Sequence, residues 1–296
     1  ASTQITYETE EAIQNAANEV NLRLYGQSYK VYTHSFLCYG RDQVLRRVLS
    51  KVVKAANYAS AVSHPCWPQG FSKKLTIGVS IYDSPCTAEE KPNSYNPDTT
   101  ITLNGASDPT SCRTHINSLF QFNTCSFATC SFDGVFQPGV SGKFIAFAAF
   151  YYTVDFIRTS MKMPVNSPED LDAAATAICS LNWNDLRAKS PQPESLLIDY
   201  CATANFVYLL TTQGYRFDDN TFPNIKFEKK AGDTSIGWAL GYMLNLTNMI
   251  PAEVRSVRKG TEHGSWVVLI ILFAVVILAA IGILCLLRSG KAQQTI

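Results

Sequence analysis

The chain has 296 residues, with 25 Lys and Arg against 24 Asp and Glu and a formal net charge of +1 at pH 7. This balance, and the absence of any long basic run, argues against a nucleic-acid polymer as partner. The sequence also lacks the motifs of serine hydrolases, P-loop nucleotidases and zinc peptidases.

The first elements in chain order are a predicted β-hairpin and a helix. Alternating apolar residues at 20–24, a turn at 26–28 and strand character at 31–36 predict the hairpin. Apolar residues between Val44 and Ala56 then fall on one face of a helix. Its opposite face is predicted to be solvated and carries Arg46, Arg47, Lys51 and Lys54.

Three later segments also have clear patterns. The segment 144–157 is rich in aromatic residues, and most of its rings are expected in the core. Ser167 followed by Pro168 and two acidic residues predicts the start of a helix that runs to about residue 181. Small residues at 232–237 precede Trp238, after which a helix is predicted to residue 249.

Residues 266–287 form an uncharged apolar run that is long enough to cross a bilayer as one helix, which needs about 20 residues. The alternative is a buried core helix, which rarely reaches this length without a charge. Trp266 suits an interfacial anchor, and the positive-inside rule places the tail with Arg288 and Lys291 in the cytoplasm. Basic residues also precede the run, so charge alone does not fix the orientation.

Eight of the nine cysteines lie before the apolar run, and Cys285 lies within it. An even set without a Cys-x-x-Cys pair predicts disulfides made in an oxidising compartment, with buried free thiols as the alternative. Spacing alone leaves about 105 pairings open. The glycosylation sequon at Asn245 agrees with an extracellular side. Because the chain begins at Ala1 without a signal sequence, we expect an upstream segment to carry it across the membrane.

Four stretches carry a family resemblance. They are Ala1-Ser2-Thr3-Gln4-Ile5, residues 32–43 (YTHSFLCYGRDQ), residues 130–138 (CSFDGVFQP) and residues 237–251 (GWALGYMLNLTNMIP). Together they resemble the membrane-bound ecto-nucleoside triphosphate diphosphohydrolases, the apyrase family. The resemblance runs through the whole chain and is nearest to the ATP-preferring ecto-ATPase branch.

This resemblance implies an α/β fold of the actin-like type, with nucleotide held between two ribonuclease-H-like lobes and a membrane helix at each terminus. The chain would then cover the C-terminal half. Its expected parts are a lobe with a mixed sheet and flanking helices at 1–228, a segment at 229–257 that packs back on the missing N-terminal lobe, a juxtamembrane linker at 258–265, the transmembrane helix at 266–287 and a cytoplasmic tail at 288–296. The missing lobe would carry the other phosphate loop, a metal-binding aspartate and the glutamate taken as general base.

The resemblance also implies roles at the phosphate. Ser2, with Ala1, would lie at the phosphate and the nucleophilic water, and Gln4 would orient that water, since a hydroxyl and an amide each donate and accept hydrogen bonds. Trp238 would lie beside the water shell of Ca²⁺ or Mg²⁺, which offsets phosphate charge. Without the resemblance, Ser2 and Gln4 read as ordinary strand residues and Trp238 as a core aromatic.

The base would be recognised by stacking on Tyr152, with Ala149 alongside and Arg41 near the nucleoside. The sequence departs from the family pattern before Asp199. Family members often have an arginine there that covers the other face of the base, whereas this chain has Leu196. Without the resemblance, Arg41 is equally well explained as a surface residue.

The same resemblance implies the disulfides Cys38–Cys86, Cys66–Cys112, Cys125–Cys130 and Cys179–Cys201. The implied function is hydrolysis of extracellular nucleoside triphosphates at the plasma membrane, with an extracellular ectodomain and ATP cleaved faster than ADP. Homo-oligomerisation through the transmembrane helices is left open. The alternative function is that of a non-catalytic adhesion or receptor ectodomain on the same fold.

Overall fold

A computed structural model describes residues 2–24, 26–235, 237–247 and 262–292, without the side chains of residues 235, 238 and 290–292. Two compact units contain them, Ala1–Asn248 and Met249–Ile296. The strands are β1 (Ser2–Glu8), β2 (Glu19–Leu24), β3 (Gln27–Leu37), β4 (Ala61–His64), β5 (Ser72–Thr76), β6 (Thr100–Gly105), β7 (Phe144–Ala146), β8 (Ile225–Phe227), β9 (Lys230–Ala231) and β10 (Thr234–Ser235). The α-helices are α1 (Arg41–Ala55), α2 (Pro109–Asn117), α3 (Ala149–Thr159), α4 (Pro168–Cys179), α5 (Trp183–Lys189), α6 (Glu194–Leu197), α7 (Tyr200–Leu209), α8 (Trp238–Thr247) and α9 (His263–Ala292).

The predicted hairpin is confirmed as β2 and β3, which pair antiparallel with Leu24 opposite Gln27. The turn is shorter than predicted, because Gln27 already belongs to β3 and only residues 25 and 26 separate the strands. Gly26 has a φ of +82°, which suits the tight turns that join such strands. On its other edge β3 pairs antiparallel with β1, which gives a three-stranded sheet in the order β1-β3-β2.

Side chains alternate along β1 between the core and the outer face of this sheet. Thr3, Ile5 and Tyr7 are buried. The Tyr7 hydroxyl donates to the carbonyl of Pro138 at 2.6 Å, and the hydroxyls of Thr3 and Tyr215 are 3.2 Å apart. Because the inner side chains are fixed in this way, the residues between them are held on the outer face.

A second sheet has the order β4-β6-β5, with β4 parallel and β5 antiparallel to β6. Helix α1 buries the predicted apolar face, including Val44, Val48 and Val53. The predicted solvated face is wrong for three of its four cations, because Arg46, Arg47 and Lys51 are half-buried. Arg46 donates to the carbonyls of Val79 and Asp83, both at 3.0 Å. Arg47 donates to the carbonyls of Cys38 and Leu119, both at 3.3 Å. Lys54 is exposed as predicted.

The aromatic segment 144–157 contains β7 and the first part of α3, and the prediction that most of its rings are core is wrong. Phe156 is fully buried, whereas Phe147 is 45% and Tyr152 is 53% exposed. Phe150 and Tyr151 are half-buried. The reason is that α3 is amphipathic, so only one of its faces packs on the interior.

The predicted start of α4 is confirmed, because the Ser167 hydroxyl accepts from the Asp170 amide at 3.2 Å. The helix ends at Cys179, two residues earlier than expected. Helix α8 begins at Trp238, one residue before the predicted start, and is described to Thr247; the last two predicted residues lie outside the described part. The structure contains the disulfides Cys38–Cys86, Cys66–Cys112, Cys125–Cys130 and Cys179–Cys201, the pairs that the resemblance implies.

The second unit contains α9, which includes the whole apolar run 266–287. Residues His263–Ser289 form the one candidate membrane span within the described ranges, with a mean hydropathy of 3.5. The helix begins before Trp266 and continues into the predicted tail. Residues 258–261, the first half of the predicted juxtamembrane linker, lie outside the described residues.

Candidate active site

Ser2 and Gln4 both lie on the outer face of β1 and are exposed. The Nε2 of Gln4 donates to the hydroxyls of Thr6 and Thr33, each at 3.1 Å. Those two hydroxyls are 2.7 Å from each other. With both amide hydrogens used, the Oε1 of Gln4 has no hydrogen-bond partner among the described residues, and it can accept a hydrogen bond from a water.

The sheet register brings the start of β1 close to the start of α1. Ser2 lies opposite Leu37 at the end of β3, and Gly40 caps α1 three residues later. Cys38 occupies the intervening turn with a φ of +67° and is bonded to Cys86. Ser2, which the resemblance implies at the phosphate, and Arg41 therefore lie near the same end of this sheet.

Arg41, the first residue of α1, is held by two carboxylates. Its Nη1 donates to Asp42 at 2.8 Å and its Nη2 to Asp199 at 2.9 Å. Burial raises the pKa of Asp199 to about 6, and Asp42 repels in the same direction, while Arg41 and Lys73 oppose the shift. Burial therefore outweighs the attraction of the guanidinium for the charged form.

Asp199 leads into α7, which packs on α3, the helix that carries Ala149 and Tyr152 of the predicted base site. The ring of Tyr200, the first residue of α7, stacks on Phe156 of α3 with centroids 3.8 Å apart. Tyr152 lies one helical turn before Phe156, and its ring meets that of Tyr151 edge to face at 5.3 Å. Because the Tyr152 side chain is exposed and contacts one neighbouring ring edge to face, at least one face of its ring is available for stacking.

The start of α3 has a strained backbone. Ala148, which precedes the helix, has φ of +57° and ψ of −124°, a region that residues other than glycine seldom occupy. Ala149 follows as the first helical residue and is half-buried. Such strain often accompanies functional sites, and here it lies next to the residue expected beside the base.

Leu196 in α6 lies close to Asp199. The Asp199 amide donates to the Leu196 carbonyl at 3.2 Å, and the Leu196 side chain is 42% exposed. An apolar side chain is therefore presented to solvent one turn before Asp199, where the family pattern would place a guanidinium.

Two cavities flank these residues. One of about 240 Å³ is lined by Asp199 and Asp42 together with His64 and Trp67. His64 is buried, its Nδ1 has no partner among the described residues, and burial lowers its pKa to about 3, with the nearby His115 acting in the same direction. The other cavity, about 510 Å³, is lined by Tyr151 and the lysines at 226, 229 and 230 but by none of the predicted site residues.

Some predicted site residues lie outside what the structure describes. Ala1 is one, and for Trp238 only the backbone is described, as the first residue of α8. Asn245 is exposed on α8. The roles of these three residues, like those of the other predicted site residues, remain predictions.

The described residues do not by themselves fit Ca²⁺ or Mg²⁺. These cations require oxygen ligands, several of them from carboxylates. Among the described residues, one group of three potential metal ligands lies close together, and it consists of Cys66, Cys112 and Cys201. All three form disulfides and are therefore not free to bind a cation. In the described part of the chain, no cluster of carboxylates that could hold a cation lies beside Ser2 and Gln4.

Sequence reasoning missed three residues of the site. Thr6 lies two positions after Gln4, so the alternation of a strand was a usable signal for it. Thr33 is brought next to Gln4 only by the strand register. Asp199 is brought next to Arg41 only by the packing of α7 on α1. Neither of these two had a local signal.

Comparison with known proteins gives one family. A model of the GDA1/CD39 (nucleoside phosphatase) family matches residues 1–259. Ectonucleoside triphosphate diphosphohydrolase 2 of Gallus gallus is 58% identical over 294 residues, which are 99% of this chain and 59% of that protein. The protein of the same name from Homo sapiens is 51% identical over 297 residues, 100% of this chain and 59% of that protein. The chain thus spans 59% of the length of both relatives.

A solved structure supports the fold. The crystal structure of nucleoside triphosphate hydrolases from Neospora caninum matches with a TM-score of 0.60 and 18% sequence identity. The match covers 84% of this chain and 56% of that one. It confirms the predicted α/β, actin-like fold class.

Proposed function

Because the chain belongs to the GDA1/CD39 (nucleoside phosphatase) family, we propose that it forms one lobe of an enzyme that hydrolyses the terminal phosphate of nucleoside triphosphates. ATP is the preferred substrate and ADP is cleaved more slowly. The observation that carries this proposal is the outer face of β1, where the Gln4 amide is held by Thr6 and Thr33 beside Ser2. The relatives named above give no support to an adhesion or receptor ectodomain.

Phosphoryl hydrolysis needs a water in line with the leaving group and donors around the phosphate oxygens. The Ser2 hydroxyl donates to a phosphate oxygen. The Gln4 Oε1 accepts a hydrogen bond from the attacking water, which turns a lone pair of that water toward phosphorus. Neither side chain accepts a proton at neutral pH, so the general base comes from the other lobe. With Ala1, Ser2 forms the edge of the phosphate site.

The nucleoside is bound at the starts of α1 and α3. Tyr152 stacks on the base, Ala149 lies beside it, and Arg41 contacts the nucleoside. Stacking tolerates different bases because each has a π-face, so broad base specificity follows.

A divalent cation, Ca²⁺ or Mg²⁺, offsets phosphate charge when it is bound. Trp238 would lie beside the water shell of this cation. The carboxylates that would bind the cation belong to the other lobe. The division into a lobe at 1–228, a returning segment at 229–257, a linker at 258–265, a transmembrane helix at 266–287 and a cytoplasmic tail at 288–296 belongs to the same proposal.

The proposed location is the plasma membrane, with the first unit outside the cell. Four disulfides are typical of proteins made in an oxidising compartment. Helix α9 has the length and composition of a membrane span. The sequon at Asn245, an exposed residue, agrees with an extracellular side. The substrates are therefore extracellular nucleotides.

A phosphate-release assay tests the proposal on the full-length protein that contains this chain. ATP and ADP are compared with Ca²⁺, with Mg²⁺ and with a chelator. We expect cation-dependent release that is much faster from ATP, and no release from residues 1–296 alone, because one lobe cannot close a cleft. An intact protein that releases no phosphate with either cation would refute the proposal.

A further inference from the structure

The two carboxylates that hold Arg41 are not equivalent. The Asp42 side chain is 74% exposed and belongs to the neighbouring residue, and exposed ion pairs of this kind contribute little. The Asp199 side chain is only 20% exposed and comes from a residue that is distant in the sequence. Of the two, Asp199 therefore determines where the guanidinium lies.

Asp199 is itself fixed by its surroundings. Its carbonyl accepts from both the amide and the hydroxyl of Thr203, at 2.8 Å each. The disulfide Cys179–Cys201 fastens the start of α7 to the end of α4. On the other side, the Asp199 amide donates to the Leu196 carbonyl at 3.2 Å. Because its backbone is held on both sides, Asp199 has little freedom to follow a moving guanidinium.

Asp199 also connects Arg41 to the base-stacking tyrosine. The next residue, Tyr200, stacks on Phe156 at 3.8 Å, and Tyr152 lies one turn away on the same helix. Displacement of Asp199 would therefore change the position of Arg41 relative to Tyr152.

We propose that Asp199 is a positioning residue, which holds one Nη of Arg41 so that the remaining N–H groups face the nucleoside of the substrate. A guanidinium has five N–H donors. Two are used in the hydrogen bonds found among the described residues, which leaves three for acceptors on the ribose or the base. The inference rests on the proposed hydrolase function.

The competing explanation is a purely structural ion pair between α1 and α7. Partly buried pairs are weak evidence for stability, because desolvation offsets much of the attraction. A structural pair would affect folding and all substrates alike. A positioning pair affects only ligands that have a nucleoside.

The experiment uses the full-length protein and three measurements: KM and kcat for ATP, and the inhibition constant of inorganic tripolyphosphate, which has phosphates but no nucleoside. Asp199→Asn keeps the size of the side chain and removes its charge. We expect KM to rise about tenfold, with kcat within about twofold and the tripolyphosphate constant unchanged. In the background of Arg41→Ala, the same change should raise KM no further, because the two residues act as one unit.

The matched control is Asp172→Asn, which removes the partner of Arg113 in another ion pair between helices and should leave KM unchanged. Asp199→Glu keeps the charge on a longer side chain and should give an intermediate KM; it decides the matter if the asparagine variant does not fold. An unchanged KM in the Asp199 variants, or an equal loss of tripolyphosphate affinity, overturns the inference. A wild-type protein without ATP hydrolysis overturns the proposed function instead.

Discussion

The Nε2 of Gln4 lies 3.1 Å from the Oγ1 of Thr33, a residue of the neighbouring strand. Gln4 is thus positioned by the pairing of β1 with β3 and not by its own strand alone. The same hydroxyl meets that of Thr6 at 2.7 Å, so two hydroxyls from two strands fix the Gln4 amide.

Thr33→Val tests this relationship, because valine keeps the shape of threonine and removes the hydroxyl. The Gln4 amide then loses one acceptor, and we expect kcat for ATP in the full-length protein to fall about tenfold with little change in KM. Thr33→Ser, which retains the hydroxyl, is the control and should keep most of the rate. Equal rates for the serine and valine variants would show that the hydroxyl does not matter.

Leu196→Arg should strengthen nucleotide binding. Leu196 is 42% exposed next to Asp199, and a guanidinium there can cover the free face of a base stacked on Tyr152. Cation–π contacts of this kind contribute roughly 0.5–2 kcal/mol, so KM for ATP should fall by roughly twofold to thirtyfold. Leu196→Met controls for size. A KM in the arginine variant equal to that of the methionine variant would contradict the placement of the base.

The disulfides should differ in their contribution to stability. Cys38 and Cys86 are 48 residues apart, whereas Cys125 and Cys130 are 5 apart. In the chain-entropy account, removing the first should cost about 4 kcal/mol and removing the second about 2 kcal/mol. Urea unfolding of the two double Cys→Ser variants, in detergent, measures both values. A larger loss for the short loop would contradict this order.

His64 predicts loss of stability in acid. Burial lowers its pKa from 6.5 to about 3 in the folded chain, so between these values the unfolded chain binds the extra proton. The contribution of His64 is thus complete above pH 6.5 and is lost as the pH falls, by about 3 kcal/mol between pH 7 and pH 4.

The pH dependence is measured as the free energy of unfolding of the wild type minus that of His64→Phe. Burial raises the pKa of Asp199 to about 6, so its contribution to the free energy of unfolding falls as the pH rises. This opposite pH dependence is present in both proteins and cancels in the difference. A difference that does not vary with pH would contradict the lowered pKa, because it would show that His64 takes up a proton as readily in the folded chain as in the unfolded one.

Local patterns predicted the elements of this fold well. The hairpin, the Ser167 cap and the apolar run of α9 each follow from a signal within a few residues. The aromatic rings of 144–157 were placed wrongly, because a run of rings does not show which face of a helix packs. Arg46 and Arg47 were placed wrongly because their carbonyl partners lie in distant segments.

The site was less accessible to sequence reasoning. Ser2, Gln4, Arg41 and Tyr152 came from family resemblance, since nothing in their spacing indicates phosphate or base binding. Thr33 and Asp199 hold two of these residues, through strand register and helix packing. Such contacts join residues far apart in the chain and need the folded structure.

The central claim is that the outer face of β1 orients the attacking water, and the most direct measurement is kcat for ATP in full-length Gln4→Leu. Gln27→Leu, a change at another exposed glutamine of the same sheet, is the matched control. Removing a group that acts on the reacting atoms typically costs about 10²-fold or more. We predict a loss of that size for Gln4→Leu and near wild-type kcat for Gln27→Leu. A Gln4→Leu protein that folds and turns over ATP as fast as the control would contradict the account.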